Sequence, residues 1–285
     1  MATVSSRGER RWRTLATYAN LTPFIFFALF PFYFMFVTSF KRNAELYNLK
    51  AVPFWIETGV ISDHYAFLFQ RTEFLTWMKN SVIISVTATA ISLAIAILAG
   101  YSLARLRYRG VATFGTAVFI TYLVPPTLLF LPLSQVVDWL GLSDSIWALV
   151  VTYPTFLVPF STWLLMGYFR TVPREVEECA LVDGATRAQT LFKIVLPMAI
   201  PGVVCAALFG FTLCWNEFIY ALTFVSQSGN KTAVVGVTAD LIRGDIYYWG
   251  SLMAGAVLAS VPIVVIYVWF LDYYVSGLTA GAVKG

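Results

Sequence analysis

Apolar and polar positions separate into long blocks along this chain. Uncharged or nearly uncharged apolar runs lie at about 18–40, 80–104, 111–135, 146–168, 198–224 and 251–271, with polar stretches between them. Each run is close to the roughly 20 residues that carry a helix across about 30 Å of hydrocarbon. The pattern predicts an all-α integral membrane protein with six transmembrane helices. Two runs carry internal punctuation. Pro125 and Pro126 fall inside the third, where they remove backbone donors and crowd the preceding turn, so that helix is expected to bend or break. A broken helix is tolerated in a membrane where protein or water satisfies the freed carbonyls, which makes lining of a passage and a simple kink both open readings. Glu217, near the end of the fifth run, is the exception to the lack of charge. An intramembrane carboxylate implies a pathway or a polar pairing, unless it lies near enough to the interface to be solvated. Its neighbour Asn216 can hydrogen-bond a neighbouring span or a polar solute.

Composition sharpens the class. Hydrophobic residues make up 59% of the 285 and charged ones only 12%, against about a quarter charged in soluble domains. A water-soluble globular protein is excluded. The formal charge of +4 is small and indicates no nucleic-acid partner. Cys179 lies in a polar loop, whereas Cys205 and Cys214 lie inside an apolar run, so no disulfide framework is expected. Arg7, Arg10, Arg11 and Arg13 precede the first run as in a secretory signal, but that run is too long, and it is read as a retained first span.

Charge also orients the chain. Arginines cluster at the N-terminus, after the second span (Arg105, Arg107, Arg109) and after the fourth (Arg170, Arg174, Arg187). By the positive-inside rule these segments and both termini face the cytoplasm. Lys41, Arg42, Lys50, Arg71, Lys79, Lys231 and Arg243 are spread over two longer loops on the other side. In the first of these, 41–79, Trp55, Tyr65, Phe67, Phe69, Phe74 and Trp77 suit an aromatic belt at the interface.

Bond-making chemistry is poorly supported. There is no Gly-x-x-x-x-Gly-Lys-Ser/Thr phosphate loop. His64 is the single histidine, so neither a metal cluster nor a histidine-assisted nucleophile is indicated, and a structural or interfacial role for it is expected. Trp215 and Tyr220 carry large aromatic faces suited to packing.

The informative polar stretch runs from Arg170 to Pro197. Glu175, Glu177, Glu178, Asp183, Arg187 and Lys193 interleave with apolar residues, and Val176, Cys179, Ala180 and Val182 recur at near-helical spacing. Pro173 suits a helix start. Gly184 interrupts, and Asp183 is expected to cap a second helix over about 185–195. Two short helices meeting at a sharp joint outside the bilayer are thus predicted. Leu181, Leu191, Phe192 and Ile194 supply apolar surface for a knob that suits a groove in another protein.

The spacing Glu178-Cys179-Ala180, Gly184, then Ile194-Val195-Leu196-Pro197 resembles the E-A-A-x3-G-x9-I-x-L-P loop of permease subunits of bacterial ABC importers, with Cys179 in place of the first alanine. The closing Gly277-Leu278-Thr279-Ala280-Gly281-Ala282-Val283-Lys284-Gly285, Asn80-Ser81 with Ala104-Arg105-Leu106, and Trp215-Asn216-Glu217-Phe218 resemble the maltose-type G-subunit family of carbohydrate permeases, with glutamate for aspartate at 217. That resemblance implies a type I ABC importer fold in a bacterial inner membrane. It further implies a heterodimer with a second permease, two ATP-binding subunits that hold ATP and Mg, and an extracytoplasmic solute-binding protein, with no cofactor in this chain. Glu178, Cys179, Ala180, Asp183, Gly184 and Ala185 would form the ATPase-coupling elbow, and Trp215, Asn216, Glu217 and Tyr220 are candidates for the translocation pathway. The chain divides into a cytoplasmic N-terminus (1–17), a permease domain (18–272, coupling loop about 170–197) and a cytoplasmic tail (273–285), for which contact with the ATPase subunits and a disordered end are both open readings. Two alternatives remain: a membrane enzyme acting on lipid or glycan, which lacks clustered catalytic residues, and a stand-alone carrier, which leaves the inner loop without a task.

Overall fold

A computed structural model describes residues 7–243 and 246–280. The end of the tail, including Lys284, lies outside the described residues. Helices follow one another in chain order: α1 (Arg7–Ser39), α2 (Asn43–Leu46), α3 (Asp63–Arg71), α4 (Phe74–Arg105), α5 (Val111–Leu123), α6 (Pro126–Trp139), α7 (Ile146–Thr152), α8 (Pro154–Thr171) and α9 (Arg174–Val182). After α9 come α10 (Arg187–Thr190), a π-helical turn (Leu191–Val195), α11 (Leu196–Met198), α12 (Ile200–Trp215), α13 (Ile219–Phe224), α14 (Ala233–Asp240), α15 (Trp249–Trp269) and α16 (Leu271–Ala280). A two-residue antiparallel pair, β1 (Ile242–Arg243) and β2 (Ile246–Tyr247), precedes α15 with Ile242 opposite Tyr247.

Among the described residues, four helices are long and apolar enough to cross a membrane: Arg11–Ser39, Phe74–Arg105, Ile146–Thr171 and Trp249–Trp269. Two bent pairs bring the number to six if each counts as one crossing. In the first, α5 and α6 meet at 96°. Pro125 is extended at ψ 126° and Pro126 occupies the first turn of α6, so the expected break lies at the proline pair. In the second, Arg187–Met198 and α12 meet at 79°. Sequence periodicity gave no sign of this bend; Pro201 lacks the N–H that would bond the carbonyl of Pro197, and the axis turns at Ala199. The fifth apolar run is also not one helix to residue 224, because it breaks between Trp215 and Ile219.

The chain forms two compact units. One comprises residues up to Thr72 with Leu241–Leu258. Here Glu45 is buried, accepting from Thr58 Oγ1 at 2.7 Å, Thr58 N at 3.1 Å and Glu57 N at 3.2 Å, and pairing with Lys41 Nζ at 3.0 Å. Burial by itself would raise the Glu45 carboxyl; the bonds from Thr58, Lys41 and the two backbone N–H groups outweigh it and bring the pKa from 4.5 down to about 2. His64 is buried beside this network. Its Nε2 donates to the Lys41 carbonyl at 2.8 Å, and its Nδ1 lies 3.3 Å from the Ser251 hydroxyl, which donates to it. Gly250 makes room for the ring, since a Cβ there would lie 2.1 Å from Nε2. Both ring nitrogens are committed, which is the structural role expected.

The other unit comprises Glu73–Asp240 and the chain from Ala259 onward. Its spine is α4, which buries Ser81, Ser85, Ala88, Ser92, Ala96 and Gly100 at intervals of three and four. Small side chains at that spacing let helix backbones approach within lipid, where no hydrophobic force drives them together. Gly100 shows the consequence: a Cβ would lie 3.2 Å from Met166 N and 3.3 Å from Thr162 O of α8. Apolar packing gathers at two places along α4, one around Ile84, Leu149, Tyr153 and Tyr220 and one around Ala96, Tyr101, Phe169 and Leu191. At the first end, α4 also pins the segment 228–233. Trp77 Nε1 donates to Ser228 O at 2.8 Å, Asn80 Nδ2 to Gly229 O at 2.9 Å, and Ala233 N to Ser81 Oγ at 2.8 Å.

Candidate functional site

At the other end of α4 lies the elbow formed by α9 and α10. Helix α9 starts directly after Pro173, and its last turn closes with three backbone bonds. Asp183 N donates to Cys179 O, Gly184 N to Leu181 O, and Ala185 N to Ala180 O, at 3.0, 3.1 and 3.0 Å. The last two form a Schellman closure, which requires a left-handed residue after the helix cap. Gly184 supplies it, with φ +88°. The next helix is capped by Thr186 and not, as the sequence suggested, by Asp183. Gln189 N donates to Thr186 Oγ1 at 3.3 Å and Thr186 N donates to Gln189 Oε1 at 2.8 Å, a reciprocal capping box. Asp183 instead ends α9. The reason is spatial: with Ala185 spent in the closure, the first free backbone donors lie beyond Thr186.

The elbow is held from behind by charge. Glu177, buried on the inner face of α9, pairs with Arg105 Nε at the end of α4 at 2.7 Å and accepts from Tyr101 Oη at 3.3 Å. Arg105 also donates through Nη2 to the carbonyl of Val172, just before α9. One guanidinium thus ties the end of a long helix to both the entry and the body of the elbow. Breaking a buried pair by removing one partner typically costs about 3–5 kcal/mol, because the other charge is left uncompensated. Ala180, Thr190, Leu191 and Val195 are buried as well, the leucine and valine against Tyr101 and Phe169. On the outer face the polar members of the set, Glu178, Cys179 and Asp183, are exposed, and Val182 is 87% exposed.

The second set of sequence candidates, Trp215 to Tyr220, surrounds the break between α12 and α13. Glu217 is half-buried and acts as a helix-end acceptor, taking Tyr220 N at 2.9 Å, Ala221 N at 3.0 Å and Tyr153 Oη at 3.0 Å. The carboxylate therefore sits at the positive end of a short helix and accepts three hydrogen bonds, which offsets the cost of placing it in an apolar run. Tyr220 is buried, its hydroxyl donating to Pro126 O at 3.0 Å. Trp215 is buried, its indole donating to Ala259 O at 3.1 Å and stacking on Phe211. Asn216 alone of the four is exposed, with Nδ2 bonded to Thr212 O at 2.9 Å in its own helix.

Three residues that matter here were not singled out by sequence reasoning. Glu177 stood among the loop acids with no mark of burial, Arg105 appeared as one of several positive charges and inside the Ala104-Arg105-Leu106 resemblance with no partner assigned, and Tyr153 was not named. The available signal was positional: Glu177 falls on the same helical face as Ala180, and Arg105 closes a 32-residue helix. Which acid met which base could not be read from spacing.

Residues 96–279, from the last third of α4 into α16, match the family of binding-protein-dependent transport system inner membrane components. The chain belongs to that family. It is an inner-membrane transport permease, not an enzyme, and its transport depends on a binding protein. Across 97% of its length it is 33% identical to the inner membrane ABC transporter permease protein YcjP of Escherichia coli K12, over 279 residues that make up 99% of that protein. Identity is also 33% with the diacetylchitobiose uptake system permease protein DasC of Streptomyces coelicolor, over 93% of this chain and 96% of that one. The fold is like that in the crystal structure of a bacterial ABC transporter involved in the import of the acidic polysaccharide alginate. That match has a TM-score of 0.77 and 21% identity, covering 96% of this chain and 100% of the other.

Proposed function

We propose that this permease moves a carbohydrate or closely related solute inward by alternating access, as one of two membrane subunits, with both termini in the cytoplasm. A second permease lines the other half of the passage. Two ATP-binding subunits, which hold ATP and Mg, dock on the elbow through Glu178, Cys179, Ala180, Asp183, Gly184 and Ala185, and an extracytoplasmic binding protein delivers the solute. The carbohydrate class rests on the named substrates of the relatives together with the maltose-type sequence features, and no cofactor is assigned to this chain. Trp215, Asn216, Glu217 and Tyr220 belong to the pathway region; Asn216 offers a free face to solute, while the buried pair shapes the wall.

The observation that carries this reading is the clamped elbow. Nucleotide-driven closure of a partner can drive the spans between states only if contacts at the dock differ in free energy between them. A rigid support transmits that difference, and the Arg105–Glu177 pair ties the elbow directly to a membrane span. The test is ATP hydrolysis by the reconstituted complex with its own binding protein across a panel of sugars, polyols and sugar phosphates. We expect stimulation by at least one carbohydrate, and its loss in Gly184→Pro and Glu178→Lys with membrane insertion retained. Unchanged stimulation in both variants overturns the assignment of the dock; solute uptake by the purified chain alone overturns the importer reading.

A further inference from the structure

Beside the elbow, with the elbow's own Glu178 among its lining residues, a cavity of about 540 Å³ opens between the end of α4 and the α9–α10 arm. Four guanidiniums line it, from Arg105, Arg107, Arg174 and Arg187, against two carboxylates, from Glu177 and Glu178. Arg105 and Glu177 cancel each other in their ion pair. The cavity therefore keeps a positive excess, and among the described residues Arg107 and Arg174 take part in no ion pair. Both are exposed. Guanidiniums grouped in a concave site match the oxygens of a phosphate group, with bidentate geometry a lysine cluster lacks.

Its place in the fold narrows the source of that phosphate. The cavity lies where a span leaves the hydrocarbon, at the last residue of the 32-residue α4 and the linker that follows. Exposed Ile91, Ile95 and Leu98 form a stripe on one face of α4 at intervals of four and three, and the same face continues through Ser102 to Arg105. An acyl chain lying on the stripe brings its headgroup to the arginines, the arrangement that holds anionic headgroups in basic pockets beside spans.

We propose that this cavity binds the phosphate of an anionic phospholipid, against the same arm that carries the coupling elbow. The proposal requires α4 to span the membrane and is independent of the transported solute. The test uses the assembled importer in nanodiscs of phosphatidylcholine, with and without phosphatidylglycerol, and compares Arg107→Gln/Arg174→Gln and Arg107→Lys/Arg174→Lys with the unaltered complex by thermal unfolding and native mass spectrometry. Binding to the folded state raises the unfolding temperature by mass action. Phosphatidylglycerol is expected to raise it and to remain attached to the unaltered protein; the glutamine pair loses both effects and the lysine pair keeps part of each. A parallel arm with inorganic phosphate in pure phosphatidylcholine is expected to give no rise. If phosphate alone reproduces the rise and the glutamine pair removes it, the phosphate site stands and its lipid source is overturned. Equal lipid retention in the glutamine pair overturns the site, and shedding of the ATP-binding subunits by that pair reassigns the cavity to the subunit interface.

Discussion

The Tyr220 hydroxyl donates to the carbonyl of Pro126 at 3.0 Å. Each partner stands at a discontinuity, Pro126 at the 96° bend between α5 and α6 and Tyr220 just past the break between α12 and α13. The Pro126 carbonyl lies in the first turn of α6, so the bond fastens the start of the helix after one break to a residue at another break. Glu217 completes the link, since it accepts from both Tyr220 N and Tyr153 Oη. The two interruptions therefore move as a linked pair or lose a hydrogen bond.

Tyr220→Phe keeps the ring and removes only the donor. The expected cost is on the order of 1 kcal/mol, the scale of a hydrogen bond between helices in a membrane. Thermal unfolding of the assembled complex checks it, together with solute-stimulated ATP hydrolysis, which is expected to fall while assembly is retained. Loss of assembly would show instead that the bond serves packing alone.

At the elbow, Glu177→Ala is expected to destabilise by about 3–5 kcal/mol, because Arg105 is left buried and unpaired. Replacing both residues, as Arg105→Met with Glu177→Met, removes the stranded charge and is expected to recover much of that loss. A double-mutant cycle on unfolding in detergent measures the coupling. Additive single effects would mean that the pair does not act as a unit.

Gly184 stands at φ +88° with no neighbour within 4 Å of where a Cβ would sit. Within this chain space is therefore free, and backbone strain is the penalty on its own fold. Gly184→Asn, tolerant of left-handed geometry, is expected to retain more solute-stimulated ATP hydrolysis than Gly184→Val, which is β-branched. Equal activity in the two variants would contradict a conformational requirement at the joint.

Acid stability should report Glu45. Its folded pKa of about 2 lies below the ordinary 4.5, so its stabilisation is fully present above about pH 4.5 and is lost as pH falls toward 2. Glu45→Gln is expected to lower stability at neutral pH and to flatten the pH dependence in that window. Unfolding temperatures of both forms between pH 2 and 6 provide the comparison.

Much of this architecture was legible before any coordinates. Apolar run length announces membrane crossing because the bilayer imposes one length scale on any helix that spans it. Pro125 and Pro126 announced their break for an equally local reason: neither has an N–H to give. Gly184 marked the joint because a left-handed turn is costly for other residues. The bend at Ala199 was hidden, as Pro197 and Pro201 sit in an apolar block whose hydropathy does not change across it. Asp183 misled because a capping side chain and a helix-ending one look alike until the path of the following backbone is known.

Sequence by itself determined that the chain is helical, spans a membrane and carries a jointed arm between the fourth and fifth runs, since each follows from local chemistry within a few residues. Tertiary structure decided which charges meet. Arg105 and Glu177 stand 72 positions apart in the chain and 2.7 Å apart in space, and Tyr220 and Pro126 are separated by 94 residues. Pairings at that distance depend on how α4, α8 and α12 approach one another, and that approach is set by steric fit at small residues such as Gly100, a property of surfaces and not of spacing.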